Sequence, residues 1–364
     1  MRAWLCAFVL LLCAARTPSL AQGPTPGDSL SVALMTIGQG DEVWARFGHD
    51  AVVLRDARTG QETAYNWGTF DFNQPNFLGR FLTGDTKYWM LGMPAGEMAE
   101  LYARRENRSV YLQELALTPA QRAQLRDFLE WNAREENRYY RYDYYRDNCS
   151  TRARDALDRV LGGAIRAALA GVPTGTSYRS HTRRLTDGDA ATYTGIQLAL
   201  GRPADRPLDA WEESFLPVRL MAHLRGVRVR QPDGRLVPLV SAERTVFEAQ
   251  RPPEPPPTAV PSHAGAYALA GVAVALLFAL GAWLAVAGGG AGRLVLGAAA
   301  GVWTFVLGFF GTALLLAGTV TKHAPYMGRN WNLLGANALA LAACALVVGA
   351  VAGRAGPGRA RRAR

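Results

Sequence analysis

Three apolar runs without a single charged residue fill most of the chain after Ser262: Ala266–Val286, Leu294–Val320 and Leu333–Ala352. Each is roughly 20 to 27 residues long, the length an α-helix needs to cross a hydrocarbon core about 30 Å thick. Whatever precedes them must therefore lie against one face of a membrane. Residues 1–21 say which face. Arg2 supplies a positive start, Leu5 to Ala15 an apolar stretch, and Ser19-Leu20-Ala21 a small-x-small cleavage site, the pattern of a signal peptide. That apolar stretch is only about 11 residues, too short to span. No cysteine follows the cleavage site, so the chain is not itself expected to be lipidated there.

An exported domain sets the topology. The first span (266–286) runs inward, the second (294–320) outward and the third (333–352) inward, within a membrane segment covering 264–353. The Arg293 loop and the basic tail, 354–364, are then cytoplasmic, and the 321–332 loop faces outward. Arg293, Arg354, Arg359, Arg361, Arg362 and Arg364 fall inside, against Lys322 and Arg329 outside. This agrees with the positive-inside bias independently of the signal peptide. The expected location is a membrane of the cell envelope, with the soluble domain on its outer side.

The same placement explains the net charge of +10. All 30 acidic residues lie between Asp28 and Glu254, and 30 of the 40 basic ones lie in that stretch too. The soluble part is neutral and carries no basic stripe, so nucleic acid is not an expected partner.

Residues 22–250 read as one mixed domain. Val32–Ile37, Ala51–Leu54, Thr63–Trp67 and Val110–Leu117 have strand patterning. Met98, Leu101 and Tyr102 have helical spacing after Pro94. Thr118-Pro119-Ala120-Gln121 is a capping box with proline at the first helical position. Asn148 to Leu161 is a further helix, with Ala153, Ala156, Leu157, Val160 and Leu161 as its apolar stripe and Gly162-Gly163 as its end. After Gly171 the chain is expected to be loop-rich, with a short helix after Pro217 and a hairpin at Asp233-Gly234. Residues 251–263, with six prolines, read as an extended stalk.

The soluble domain holds one cysteine, Cys149; Cys6 and Cys13 lie in the signal peptide and Cys344 in the last span. The plain alternative for a lone thiol is a buried structural group. Here Asn148 is a natural N-cap, which puts Cys149 in the first helical turn, where unpaired N–H groups and the helix dipole favour thiolate. A nucleophilic thiol also needs a base. His181 reads as a solvated loop residue and His223 as a packed or surface helix residue. His49, after Gly48 and entering a strand, remains. Asn66, polar within the neighbouring strand, is placed to hold the imidazole tautomer, a strand-end asparagine being the plainer reading. No ligand spacing of a zinc site is present, so neither metal nor cofactor is expected. The aromatics Phe70, Phe72, Phe77 and Phe81 form a core or a ligand wall. The tyrosine run Tyr139–Tyr145 suits a membrane interface or a half-buried edge.

Phe47-Gly48-His49, then Tyr65-Asn66-Trp67-Gly68-Thr69-Phe70-Asp71, then Asp147-Asn148-Cys149-Ser150-Thr151 with Arg154-Asp155 together resemble the periplasmic domain of Lnb-type bacterial lipoprotein N-acyltransferases. Gly201-Arg202-Pro203-Ala204-Asp205, Glu213-Ser214-Phe215-Leu216-Pro217 and the loop from His323 to Leu334 fit as well. That family is similar to circularly permuted papain-like thiol enzymes and to the lecithin:retinol acyltransferase group, in which the histidine strand precedes the cysteine helix. The resemblance implies an α+β fold: a circularly permuted papain-like domain followed by a three-helix transmembrane segment. It implies Cys149 as nucleophile and His49 as base. Relatives often place a histidine on the next strand; here Asn66 stands in as the third member. Tyr65, Trp67, Asn148, Arg152, His323, Asn330 and Asn332 are the expected substrate-binding residues.

The implied reaction moves an acyl chain from a membrane phospholipid, through a Cys149 thioester, to the α-amine of a diacylglyceryl-cysteine lipoprotein. The rivals are a membrane-anchored thiol hydrolase (phospholipase or cell-wall amidase or endopeptidase) and a non-catalytic envelope assembly protein.

Overall fold

The computed structural model describes residues 25–287 and 290–355, the side chains of 348, 349 and 351–355 excepted. The signal peptide with its cleavage site, Cys6, Cys13 and tail residues 356–364 lie outside the described residues.

The strands are β1 (Leu30–Ile37), β2 (His49–Asp56), β3 (Gln61–Thr69), β4 (Lys87–Pro94), β5 (Val110–Leu115), β6 (Tyr139–Arg141), β7 (Pro173–Ser177), β8 (Pro207–Asp209), β9 (Arg228–Arg230), β10 (Leu236–Pro238) and β11 (Val240–Phe247). Seven of them form one antiparallel sheet in the order β11-β5-β1-β2-β3-β4-β6, while β7–β8 and β9–β10 are small ribbons. The patterned segments read from the sequence fall on β1, β2, β3 and β5, and the Asp233-Gly234 turn joins β9 to β10.

Helices α1 (Phe77–Thr83) and α2 (Ala95–Glu100) lie within the meander, and α3 (Pro119–Asn132) and α4 (Cys149–Val160) follow it. Alternation along β1 builds two cores. Leu30, Val32 and Leu34 face Leu125 and Leu129 of α3 and Leu157 of α4, whereas Ala33, Met35 and Ile37 face Met98 of α2. A mixed α/β domain with a sheet covered on both faces is the result. The Thr118 capping box forms in full: the Gln121 N–H donates to Thr118 Oγ1 (3.3 Å) and the Thr118 N–H to Gln121 Oε1 (2.9 Å).

The segment after Gly171 is not loop-rich. It holds α6 (Tyr178–Thr186), α7 (Ala190–Ala199), α8 (Ala210–Glu213) and α9 (Pro217–Leu224), preceded by α5 (Ala164–Leu169). Its Ser, Asp and Gly content reads as loop because those residues are caps: Ser177, Asp189 and Asp209 each accept the N3 backbone N–H of the following helix. His181 is correspondingly not a solvated loop residue but a fully buried one on α6.

Among the described residues two helices, α10 (Ala264–Ala287) and α11 (Gly290–Thr319), are long and apolar enough to cross a membrane. After one helical turn, α12 (Ala324–Met327), the third apolar run starts with a 3₁₀ turn at Trp331–Leu334, so its helix, α13 (Leu339–Ala355), begins at Leu339 rather than Leu333 and has 17 residues. The Asn337 side chain accepts the Leu339 N–H and sets that start. Cys344 meets Gly301, Leu341 meets Gly308 and Asn337 meets Gly311, so α13 runs antiparallel to α11. A Cβ on Gly311 would lie 2.3 Å from the Asn337 backbone, the close approach that small residues allow between helices in lipid.

The proline-rich linker lies against the domain instead of standing off it as a stalk. Arg184 donates to Glu254 (2.7 Å) and to the Pro255 carbonyl (2.8 Å), and Tyr193 to the Pro261 carbonyl (3.3 Å). Prolines lack N–H groups, so these carbonyls have no ladder to join and accept from side chains instead. The start of α10 is thereby held beside α7, where the Thr194 and Tyr267 hydroxyls are 2.7 Å apart. The loop after α11 returns to the same domain: the Lys322 N–H donates to the Thr83 carbonyl (2.8 Å). Both ends of the α10–α11 hairpin therefore lie on the domain's side.

Candidate functional site

Asn148 caps α4 in a reciprocal box with Thr151 and also donates to the carbonyls of Tyr144 and Phe215, both at 3.0 Å. Cys149 is thus the first residue of a helix whose apolar stripe is buried against the sheet, and its side chain is 6% exposed. The backbone N–H groups of Asp50 and Ser150 act to favour its charged form.

His49 opens β2 and Asn66 lies on β3, where Ala51 is the direct partner of Asn66. The two side chains share the sheet face that carries α2. His49 Nε2 is 3.3 Å from Asn66 Oδ1, and Asn66 Nδ2 donates to the Leu91 carbonyl at 3.0 Å. With its amide group committed to Leu91, Asn66 offers the ring an acceptor. This assigns the Nε2–H tautomer and leaves Nδ1 with a free lone pair.

Gly68 brings this pair to the thiol. Pairing between β3 and β4 slips between Asn66 and Thr69, and Gly68 sits in that bulge at φ +96°, a conformation that favours glycine. A Cβ there would lie 3.7 Å from Cys149 Cβ, 3.9 Å from His49 Cε1 and 3.6 Å from Tyr142 Cε2. The cysteine, the histidine and a tyrosine ring therefore converge on one point, and the absent side chain leaves the space between them open.

Electrostatics differ from the expectation of a resting thiolate. Burial first, and the Asp50 carboxyl second, push the Cys149 thiol up to about 12, against the two backbone N–H groups and Arg108. Burial and then Arg108 lower His49 to about 4, with the Asn66 hydrogen bond opposing. The resting pair is a neutral thiol beside a neutral imidazole. Desolvation at this depth outweighs the helix terminus that the sequence suggested would dominate.

Two charged groups here were missed by sequence reasoning. Asp50 is fully buried: its Oδ1 accepts from Thr36 Oγ1 at 2.7 Å, its Oδ2 has no partner among the described residues, and burial raises it to about 7. An aspartate entering an apolar strand was the available signal. Arg108 is 3% exposed; it donates to the Gly38 carbonyl (2.9 Å) and Glu106 (3.0 Å), leaves Nη2 without a partner among the described residues, and lies over the Tyr102 ring, which is 5.8 Å from the His49 ring. No local pattern marks it.

The other expected binding residues have structural partners. Tyr65 and Trp67 point into the core opposite Asn66, where the Trp67 indole donates to Asn132 at 2.9 Å. Arg152 pairs with Asp147 (2.5 Å) and stacks on Tyr140. Asn330 and Asn332 donate to carbonyls at the end of α7. His323 meets the tyrosine run, with Nδ1 3.1 Å from the Tyr144 hydroxyl, and Tyr326 donates to Asp143 at 2.6 Å. The 321–332 loop is thus clamped to the domain next to the segment that leads into Cys149.

One experiment reads the resting state directly. Alkylation of Cys149 by iodoacetamide in the full chain, followed peptide by peptide by mass spectrometry, is expected to keep accelerating from pH 7 through pH 9. A rate that levels off below neutral pH would mean a preformed thiolate and would overturn the neutral-pair assignment.

No curated protein and no solved structure is significantly similar to the chain. Residues 17–184 match the family model described as the Lnb N-terminal periplasmic domain. The likeness to the Lnb family therefore rests on a domain that contains His49, Asn66 and Cys149 and is followed by apolar helices long enough to cross a membrane.

Proposed function

We propose that the chain is a thiol-dependent lipoprotein N-acyltransferase of the bacterial inner membrane, with a papain-like catalytic order of histidine before cysteine. The observation that carries this reading is the convergence of Cys149 and His49 on the open space at Gly68, in a domain clamped to membrane helices.

His49 Nδ1 takes the Cys149 proton as sulfur attacks the carbonyl carbon of a phospholipid acyl ester. The C–S bond forms, the C–O bond breaks, and the imidazolium returns the proton to the leaving glyceryl oxygen, releasing a lysophospholipid. The α-amine of a diacylglyceryl-cysteine then attacks the thioester. A C–N bond forms, the C–S bond breaks, and the amine's proton passes through His49 back to sulfur. The Asp50 and Ser150 N–H groups, which favour negative charge on the sulfur, stabilise charge that develops beside it. Asn66 holds the ring tautomer, and His323 with Tyr144 lines the approach from the membrane. A site this buried disfavours water as acceptor, which supports transfer over hydrolysis. In this reading three helices span the membrane and the C-terminus is cytoplasmic.

The test uses cells depleted of their usual lipoprotein N-acyltransferase. Wild type restores N-acylated lipoprotein N-termini by mass spectrometry, and Cys149→Ser does not. Unmodified α-amines with wild type would sink the transferase reading; free fatty acid release in their place would mark a phospholipase.

A further inference from the structure

Helix α1 contains Phe77, Leu78, Phe81 and Leu82, yet has no buried residue. Leu78 is 66%, Leu82 61% and Phe81 53% exposed, and beside them Trp44 (57%) and Phe72 (55%) extend the same face. The rings are packed edge to face, Trp44 to Phe72 at 5.5 Å and Phe72 to Phe77 at 5.1 Å, so this is one contiguous apolar surface. A surface of that kind on a stable protein has an occupant.

Its position names the occupant. α1 is held at its end by the loop that leaves α11: the Lys322 N–H donates to the Thr83 carbonyl, His323 Nε2 is 2.9 Å from the Phe81 carbonyl, and Gly84 lies against Lys322 and His323. Lys322 is only three positions beyond Thr319, the last residue of α11, a reach of about 10 Å at most. The exposed face therefore sits at the level where a membrane-crossing helix ends, the depth of the headgroup–acyl boundary. Aromatic residues are enriched there.

The same surface is continuous with the thiol. Phe70 touches Phe72 (4.9 Å) and Tyr88 (5.0 Å), Tyr88 stacks on Tyr142 (4.3 Å), and Tyr142 borders the Gly68 space that Cys149 and His49 share.

We infer that the α1 face is embedded in the outer leaflet and receives the acyl chains of membrane phospholipid, the Phe70–Tyr88–Tyr142 ring series guiding the donor carbonyl to Cys149. The embedding rests on the geometry alone; the guiding role rests on the acyl-transfer reading.

The test places p-benzoylphenylalanine at Phe72, at Phe81 or, as an exposed control on β10, at Leu236, in the full chain reconstituted in nanodiscs of phosphatidylethanolamine and phosphatidylglycerol. Irradiation is expected to give phospholipid adducts at positions 72 and 81 and none at 236. Adducts to a second copy of the chain, equal labelling at 236, or no lipid at 72 and 81 would overturn the inference. In parallel, the double variant Leu78→Asp, Leu82→Asp is expected to need about tenfold more bilayer phospholipid for half-maximal acylation of Cys149, with acylation by a soluble short-chain thioester unchanged. Equal loss on both donors would assign these leucines to folding and remove the entry role. Lipid adducts on a chain whose Cys149 is never acylated would sink the acyl-transfer reading and leave the embedded face standing. Acylation without adducts would do the reverse.

Discussion

His49→Ala slows acylation of Cys149 by phospholipid by about 10²- to 10⁴-fold, the range that removal of a general base produces. The reason lies in the resting state. With the thiol raised to about 12 and the imidazole lowered to about 4, no ion pair exists beforehand, so the proton must move while sulfur attacks. The group that accepts it has to be in place, and the Nδ1 lone pair is the one the Asn66 hydrogen bond leaves free. Asn66→Ala is expected to cost less, because it removes only the orientation of the ring. The depressed His49 value also gives the sign of the pH dependence. The imidazole stays neutral, and able to accept, as pH falls past the usual histidine value, so acylation holds from pH 7 down to about pH 5 and declines toward pH 4. The measurement is the intact mass of the chain after timed exposure to phospholipid vesicles, with hydroxylamine removing the thioester. Wild-type rates in His49→Ala would exclude the histidine from the chemistry.

Much of this arrangement was legible in the sequence because it is local. Asn148 ahead of an apolar stripe announces both the helix and the position of Cys149 on it. Two strand-like segments separated by a short turn bring His49 and Asn66 onto neighbouring strands of one sheet. What escaped reading is non-local. Arg108 reaches the site from just before β5, under the loop that starts at Gly38, and nothing within a few residues of it says so. The protonation state escaped for a related reason: a helix terminus is visible in sequence, but the burial that outweighs it belongs to the packed domain. The aromatic density between Phe70 and Phe81 was visible, whereas its exposure was not, since that depends on which loop holds α1. His181 was misread because its neighbours Thr174, Gly175, Thr176 and Ser177 are turn-forming residues. They form β7, whose last residue, Ser177, caps a helix that a distant glutamate anchors.

Glu213→Ala is expected to destabilise the domain by about 3–5 kcal/mol, the usual consequence of removing one partner from a buried charged network. Glu213 is fully buried and accepts four hydrogen bonds, from His181 Nε2 (2.9 Å), Thr176 Oγ1 (2.9 Å), His223 Nε2 (2.7 Å) and Arg219 Nε (2.8 Å). Burial alone would raise this carboxyl; the bonds from His181, His223 and Arg219 outweigh it and hold it far below the usual carboxylate range. His181 must be neutral to play its part, because Nδ1 accepts from Arg184 Nε (3.0 Å) while Nε2–H donates to Glu213. Its pKa is lowered accordingly, by burial first. A depressed histidine stabilises the fold above its unfolded value of about 6.5, and that stability is lost as pH falls. Asp50, raised to about 7, slopes the opposite way in the same window, so the comparison of wild type with His181→Gln carries the test, and the variant's disadvantage should shrink on acidification. The consequence for chemistry is geometric. Residues 213–217 receive Ser150 on the Ser214 carbonyl (2.8 Å) and Asn148 on the Phe215 carbonyl, and Pro217 packs beneath Gly48. Loosening Glu213 therefore displaces the supports of Cys149 and His49 together. Thermal unfolding of the detergent-solubilised chain should show a midpoint lower by about 10 °C, at roughly 2–4 °C per kcal/mol for a domain of this size. The surviving folded fraction should acylate Cys149 more slowly than wild type. An unchanged midpoint would mean that the network is not what holds this segment.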